Sequence, residues 1–189
     1  MSQGTQSSTS SAGVLKLSVG FSDWCTDGVR ERISKHCQQF KKMTVSGVCA
    51  YIDKKGSPVE VRKSDIEGVG LFYVLKKSAE AGTPVAVLSH GVVTDTPCSD
   101  HRRGSVLVGR NQYQQWSRYK EGMRGARMGG AANQGTDMES CNAHIKSVLI
   151  KPSGNRSKKA AVCTVILSTR TIRENEEITV WYGGSYFSE

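Results

Sequence analysis

The sequence predicts a mostly β protein with some helix. Short apolar runs rich in Val, Ile, Leu and aromatics recur along most of the chain. Glycine- or proline-bearing turns separate them, and 10–15-residue helical patterns do not alternate with them, which argues against βαβ units. One long segment, Asp27 to about Met43, carries a helical stripe: Val29, Ile33, Cys37 and Phe40 recur at helical spacing. The third observation is the closing segment, where the strand pattern of E-E-I-T-V-W-Y-G-G runs into Tyr182, Gly183 and Gly184. A tyrosine at the junction of a strand and a Gly-Gly turn can hold its hydroxyl in a cleft.

Taken in order, residues 1–13 (MSQGTQSSTSSAG) predict a polar, disordered tail with neither the basic start nor the apolar stretch of a secretory signal. Asp27 is the expected N-cap of the first helix, and Arg30, Arg32, Lys35 and Lys41 lie largely off its apolar stripe. Val48 to Ile52 is strand-like, and the segment from Asp53 to Pro58 is a turn. Residues 14–58 are thus expected to form a helix-and-strand extension packed on a body spanning 59–189. In that body, V-E-V-R-K-S-D-I-E-G-V-G-L-F-Y-V-L predicts strand, glycine turn, strand. Val85 to Leu88 is the next strand, and residues 94–104 are expected as loop. Asn111 to Lys120 looks helical, with Tyr113, Trp116 and Tyr119 or Lys120 along one side. Met123 to Asp137 has weak periodicity. His144 to Ile150 and Ala160 to Ser168 form a hairpin around the basic turn Pro152 to Lys159. Arg173 to Glu176 is a tight turn before the last strand, and Asn175 tolerates the positive φ such a turn needs.

Bulk numbers narrow the function classes. The chain has 189 residues, 37% hydrophobic and 23% charged, which suits one modest globular domain. No apolar run approaches the ~20 residues that cross a bilayer. The six cysteines, at 25, 37, 49, 98, 141 and 163, show no zinc-ligand spacing, so neither metal nor disulfide is expected. The net charge of +9 favours an acidic partner, although the basic clusters Lys41–Lys42, Arg102–Arg103, Arg118 to Arg127 and Lys151 to Lys159 are separate.

Three motifs carry the chemistry. Asp65-Ile66-Glu67-Gly68-Val69-Gly70-Leu71-Phe72 is a glycine hairpin in which the backbone can approach a ligand. It lacks the third glycine and following helix of a dinucleotide fingerprint. Ala131 to Ala143 (AANQGTDMESCNA) holds two asparagines, Asn133 and Asn142. Ile172 to Gly183 reads I-R-E-N-E-E-I-T-V-W-Y-G. Together these segments resemble the SET domain of protein lysine methyltransferases. They are similar to its G-x-G-(L/V)-F hairpin, its N-H-S-C-x-P-N-A loop and its I-x-x-G-E-E-(L/I)-T-x-x-Y-G closing stretch. The matched body runs from about Val59 to Phe187.

The resemblance implies small sheets of short strands around a C-terminal pseudoknot, with the N-terminal helix packed on them. It implies S-adenosyl-L-methionine as cofactor, methyl transfer to a lysine amine, and Tyr182 as the catalytic residue that orients the amine. Cofactor contacts would come from Glu67, Gly68, Val69, Asn133, Gln134 and Phe187, with Tyr186 or Phe187 stacking on adenine. Tyr113, Trp116, Trp181 and Tyr186 are the candidates for the lysine channel. Histone tails are the implied substrate class, a chromatin role and the nucleus the implied setting, and nucleosome or nucleic-acid contact through the basic clusters a second partner.

The departures are specific. Gln134 replaces the family's histidine, and the spacing between the asparagines is three residues longer. An alternative alignment sets Met138-Glu139 in the Asn-His place; the Asn133 alignment is preferred because a carboxamide can pair with an adenine edge as donor and acceptor together. Asn175 replaces a glycine, and Trp181 stands where Asp or Asn is common. Ser89 holds the place of a tyrosine on the Val85 to Gly91 strand. No cysteine-rich zinc cluster follows Tyr182, so the channel is expected to be closed by Tyr186-Phe187, the N-terminal helix or a partner chain. A non-catalytic SET module binding peptide or nucleic acid is the alternative, as is a methyltransferase of a non-histone protein.

Overall fold

The computed structural model describes residues 25–54, 56–66, 68–91, 93–94, 103–109, 112–117, 120–151 and 161–182. The expected tail, Glu67, Cys98, Tyr119, the Pro152 to Lys159 turn, Tyr186 and Phe187 lie outside them.

The architecture is mostly β with short helices, as expected. Its main sheet has the order β1-β2-β10-β8-β9-β3, where β1 is Val59–Lys63, β2 Val69–Tyr73, β3 Pro84–Gly91, β8 Ala143–Ile150, β9 Ala161–Ser168 and β10 Glu177–Val180. The two-residue strand β7, Asn133–Gln134, pairs with β10 off this path. A second sheet of three strands has the order β4-β6-β5, from Val93–Thr94, Gln112–Ser117 and Arg103–Gly109 respectively. The expected hairpin of β8 and β9 is present, antiparallel in register from Ala143↔Ser168 to Ile150↔Ala161.

Both faces of β9 are covered, which explains its unbroken apolar run. Cys163, Val165 and Leu167 face the helical layer, while Ile166 joins the other core with Leu71, Ile172, Ile178 and Val180. The helical layer is α1, Asp27–Phe40, and α2, Val45–Ile52. Ile33 and Phe40 are the buried anchors of α1, with Val29 and Cys37 packed beside them, so the predicted stripe holds. A 3-10 helix, Gly125–Ala131, crosses β3 closely: a Cβ on Gly129 would meet the Val87 carbonyl. The only residue that fits that crossing without displacing main chain is glycine.

Four expectations are corrected. The α1 N-cap is Thr26, without a side-chain cap bond, and Asp27 sits in the first turn, where its charge favours the helix dipole. Val48 to Ile52 is helix, not strand. Thr44 caps α2 by accepting from the Gly47 amide at 3.3 Å, and Val45, Val48 and Cys49 bury one side at i, i+3, i+4. Within the expected Asn111 to Lys120 helix, the described Gln112–Ser117 is instead strand β6, paired with β4 and β5. Tertiary pairing and the β preference of Tyr113 and Trp116 prevail there over helical spacing. Its partner β5 also begins inside the predicted loop, at Arg103.

The histidines give the fold a pH dependence. Burial depresses the pKa of His36, His90 and His144 below the usual 6.5, with Arg32 and Lys35 adding at His36, Arg127 at His90 and Lys146 at His144. A base whose folded pKa lies below its unfolded value binds fewer protons folded than unfolded. Its contribution is therefore complete above about pH 6.5 and declines as pH falls toward the folded pKa. Thermal unfolding should show Tm dropping between about pH 7 and 5, and His144→Gln should flatten that drop. An unchanged slope in the variant would contradict this assignment.

Candidate active site

The site begins at the turn before β10. Asn175 has φ 63°, the one positive φ outside glycine among the described residues. Its amide donates to the Tyr73 carbonyl at 2.7 Å, and its side-chain oxygen accepts from the Arg62 guanidinium at 2.7 Å. The chain then enters β10, which joins the three motifs. Glu177 and Ile178 pair antiparallel with Phe72 and Leu71 of the glycine hairpin. Thr179 and Val180 pair parallel with Asn133 and Gln134, and Val180 also with Ala143. A four-residue strand thus binds segments that are far apart in sequence.

Asn142 staples this crossing. It is 2% exposed, and its amide nitrogen donates to the Glu177 carbonyl at 2.7 Å and to Glu176 Oε1 at 3.1 Å. Its side-chain oxygen accepts from the Thr179 amide at 2.9 Å. Its own carbonyl accepts from the Thr169 amide at 2.9 Å, tying the asparagine loop to the end of β9. Burial opposes charge on Glu176, but bonds from the Arg173 amide, Asn142 and Arg170, and the charge of Arg170, prevail and hold its pKa below the usual carboxylate value.

A second cluster fixes the glycine hairpin to Asn133. The Ser64 hydroxyl donates to the Glu177 carboxylate at 2.8 Å and accepts from the Ile66 amide at 2.9 Å. The Asn133 amide nitrogen donates to Glu177 Oε1 at 2.9 Å and to Ser64 Oγ at 3.0 Å. The carboxylate lies over Gly70, where an added Cβ would come 2.7 Å from Glu177 Cδ and 3.0 Å from Ser64 Cβ. Gly70→Ala must therefore displace a carboxylate held by charge-assisted bonds, at an expected cost of about 2 kcal/mol. Glu177→Ala should cost a similar amount but make room for the methyl group. In a urea-denaturation double-mutant cycle, Gly70→Ala should then cost less than half as much in the Glu177→Ala background. Additive costs would mean that the two positions do not act through this contact.

Tyr182 follows β10 by two residues. Its ring is partly buried against the core of Leu71, Ile178 and Val180, and its hydroxyl donates to the Ala132 carbonyl at 3.0 Å. Ala132 immediately precedes Asn133, so the hydroxyl lies at the asparagine loop. Trp181 beside it is half-buried. Gln134 carries the one orphan among the described buried side-chain polar atoms: its Oε1 has no hydrogen-bond partner. The exposed large hydrophobic side chains among the described residues are Ile66 and Val69, on the glycine hairpin, and Met138, on the asparagine loop.

The predicted residues therefore separate into groups. Gly68, Val69, Asn133, Gln134, Trp181 and Tyr182 belong to segments that β10 joins or that adjoin it. Tyr113 and Trp116 lie on β6, in the other sheet. Ser89 is buried on β3, with Thr164 as its register partner. In the alternative alignment, Met138 and Glu139 sit on an exposed turn, whereas Asn133 lies against the closing strand. Sequence reasoning missed Ser64, which no motif flags, and the bridging roles of Glu177 and Asn142, although both stood inside quoted motifs. An open hollow lined by Arg170, Thr171, Arg173, Glu174, Asn175 and Glu176 has internally compensated walls, with Arg170 and Glu176 at 2.6 Å.

No protein-family model and no curated protein sequence matches the chain. Solved structures do. A Plasmodium falciparum protein provisionally named a histone methyltransferase aligns at 15% identity and TM-score 0.46, over 70% of this chain and 98% of its own. The ATXR5 SET domain, in complex with a dimethylated histone H3, aligns at 14% identity and TM-score 0.48, over 79% of this chain and 71% of its own. These are two of the solved structures to which this mixed sheet with few helices is similar.

Proposed function

We propose that the chain is a SET-type protein lysine N-methyltransferase that uses S-adenosyl-L-methionine and acts on histone tails in the nucleus. The observation that carries this reading is the convergence on β10. One short strand joins the Gly68–Gly70 hairpin to Asn133–Gln134 and leads to Tyr182, whose hydroxyl meets the carbonyl preceding Asn133. Three motifs quoted for one family thus meet in one place.

The residues fit the cofactor. The buried, partnerless Oε1 of Gln134 suits a donor such as the exocyclic amine of adenine. Ile66, Val69 and Met138 offer exposed apolar surface on the two loops that would flank it. Gly68 has φ 45° and no side chain to block a ligand's approach to the backbone. Glu67 to Val69 and Asn133–Gln134 would hold the cofactor, with Phe187 or Tyr186 stacking on its base. When bound, the cofactor supplies a methyl group activated on a sulfonium.

The chain's own residues must deliver a neutral amine in line with that methyl. At pH 7 a lysine of pKa about 10.4 costs roughly 4–5 kcal/mol to deprotonate. An apolar channel lowers that cost by disfavouring the ammonium. Trp181 would form one wall, with Tyr186 and one of Tyr113 or Trp116 as the others. The Tyr182 hydroxyl donates to the Ala132 carbonyl, and its oxygen, the negative end of that dipole, would favour the positive charge at the transferring methyl. Alignment supplies much of the remaining rate.

Calorimetric titration with S-adenosyl-L-methionine tests the reading. Saturable heat is expected, weakened when Gln134→Leu removes the acceptor. Absence of heat at millimolar cofactor would instead indicate a non-catalytic module that binds peptide or nucleic acid.

A further inference from the structure

The chain's charge is unevenly placed. No Asp or Glu occurs between Glu31 and Asp53, or between Glu139 and Glu174. The first stretch is most of α1, the following turn and α2; the second includes β8 and β9. The fold brings the two together, because the Lys151 amide at the end of β8 donates to the Met43 carbonyl in the α1–α2 turn at 2.8 Å. Lys41, Lys42 and Lys151 are therefore neighbours on one exposed end. Lys35, also exposed, lies seven residues before Lys42, about 10 Å along a helical axis. Half-buried Lys146 lies on β8, close to Cys37 of α1.

Four arginines elsewhere are compensated: Arg30 by Asp27, Arg32 by Glu80, Arg62 by Glu60 and Arg170 by Glu176. Lys35, Lys41, Lys42 and Lys151 make no ion pair with any described carboxylate. Among the described residues this end has no exposed large apolar side chain; those that are exposed are Ile66, Val69 and Met138. A membrane-surface site combines cations with apolar side chains that enter the bilayer. A nucleic-acid backbone needs the cations alone.

We propose that this lysine-lined end, built from the α1–α2 turn and the end of β8, docks duplex DNA through its phosphate backbone without reading sequence. Four lysines displace about four counterions, so log K should fall with log salt at a slope of about −3.6. The proposal is independent of methyl transfer and is tested by binding alone.

The experiment is fluorescence anisotropy of the full chain with a duplex of about 20 base pairs, between about 50 and 200 mM salt. The double variant Lys41→Glu/Lys42→Glu should make the slope shallower by about 1.8 and weaken binding at the lowest salt at least about tenfold. Lys76→Glu/Lys77→Glu makes the same charge change on the exposed β2–β3 connection, whose Glu80–Ala81 stretch meets Arg32 nearer the start of α1. It should leave the slope within about 0.5 of the parent. Equal losses in the two variants would mean that net charge alone acts, and would overturn the site. So would absence of duplex binding at the lowest salt, or binding to anionic vesicles in its place.

Discussion

Replacing Tyr182 by Phe is expected to lower kcat by about a hundredfold or more while leaving cofactor affinity within about twofold. The two effects separate because the ring and the hydroxyl do different things. The ring packs against the core cluster that contains Leu71, Ile178 and Val180, and phenylalanine keeps that packing. The hydroxyl donates to the Ala132 carbonyl at 3.0 Å, and loss of that bond should cost about 1 kcal/mol of stability. A fold lowered by so little remains populated, so a loss of turnover reports the chemistry. Single-turnover methyl transfer, read beside calorimetry, distinguishes the outcomes. Parent-like kcat with intact cofactor binding would remove Tyr182 from the catalytic step.

Asn142→Ala should produce the largest loss of stability, about 3 kcal/mol, or about 6–12 °C in Tm. The substitution removes three side-chain bonds from a site that is 2% exposed. It leaves the Thr179 amide and the Glu177 carbonyl without those partners in a buried crossing, and unmet buried groups are costly. Asn142→Asp should not rescue the variant. Its oxygen can still accept from Thr179, but the second oxygen would oppose the Glu176 carboxylate and the Glu177 carbonyl. Because β10 leads directly to Tyr182, methyl transfer should be lost at temperatures where the bulk of the fold survives. Chemical denaturation with near-parent stability for Asn142→Ala would contradict the staple.

Local pattern made some of this legible and long-range pairing the rest. The apolar stripe of α1, the β8–β9 hairpin and the positive φ of Asn175 follow from neighbours in sequence, and each was readable there. The helix α2 was misread because V-S-G-V-C-A-Y-I has strand-like composition. Its helical signals, a Thr44 cap and burial at i, i+3, i+4, were present but weaker than the apolar run. β6 was misread in the opposite sense: its aromatics sit at helical spacing, and only the partners Val93–Thr94 and Arg103–Gly109 make it a strand. The motifs contain Gly70, Asn133 and Tyr182, which the fold gathers beside and just after β10. Nothing in the local sequence could link Ser64 to Glu177, 113 positions apart. That bond exists because β10 threads between β2 and β7, which is a property of topology.

Methyl transfer to lysine is read most directly as transfer from isotopically labelled S-adenosyl-L-methionine to core histones, with labelled residues identified after digestion. Label is expected on lysine side chains of a histone tail and should be lost with Tyr182→Phe. Label absent from histones and from whole-cell protein alike, under conditions where cofactor binds, would contradict it.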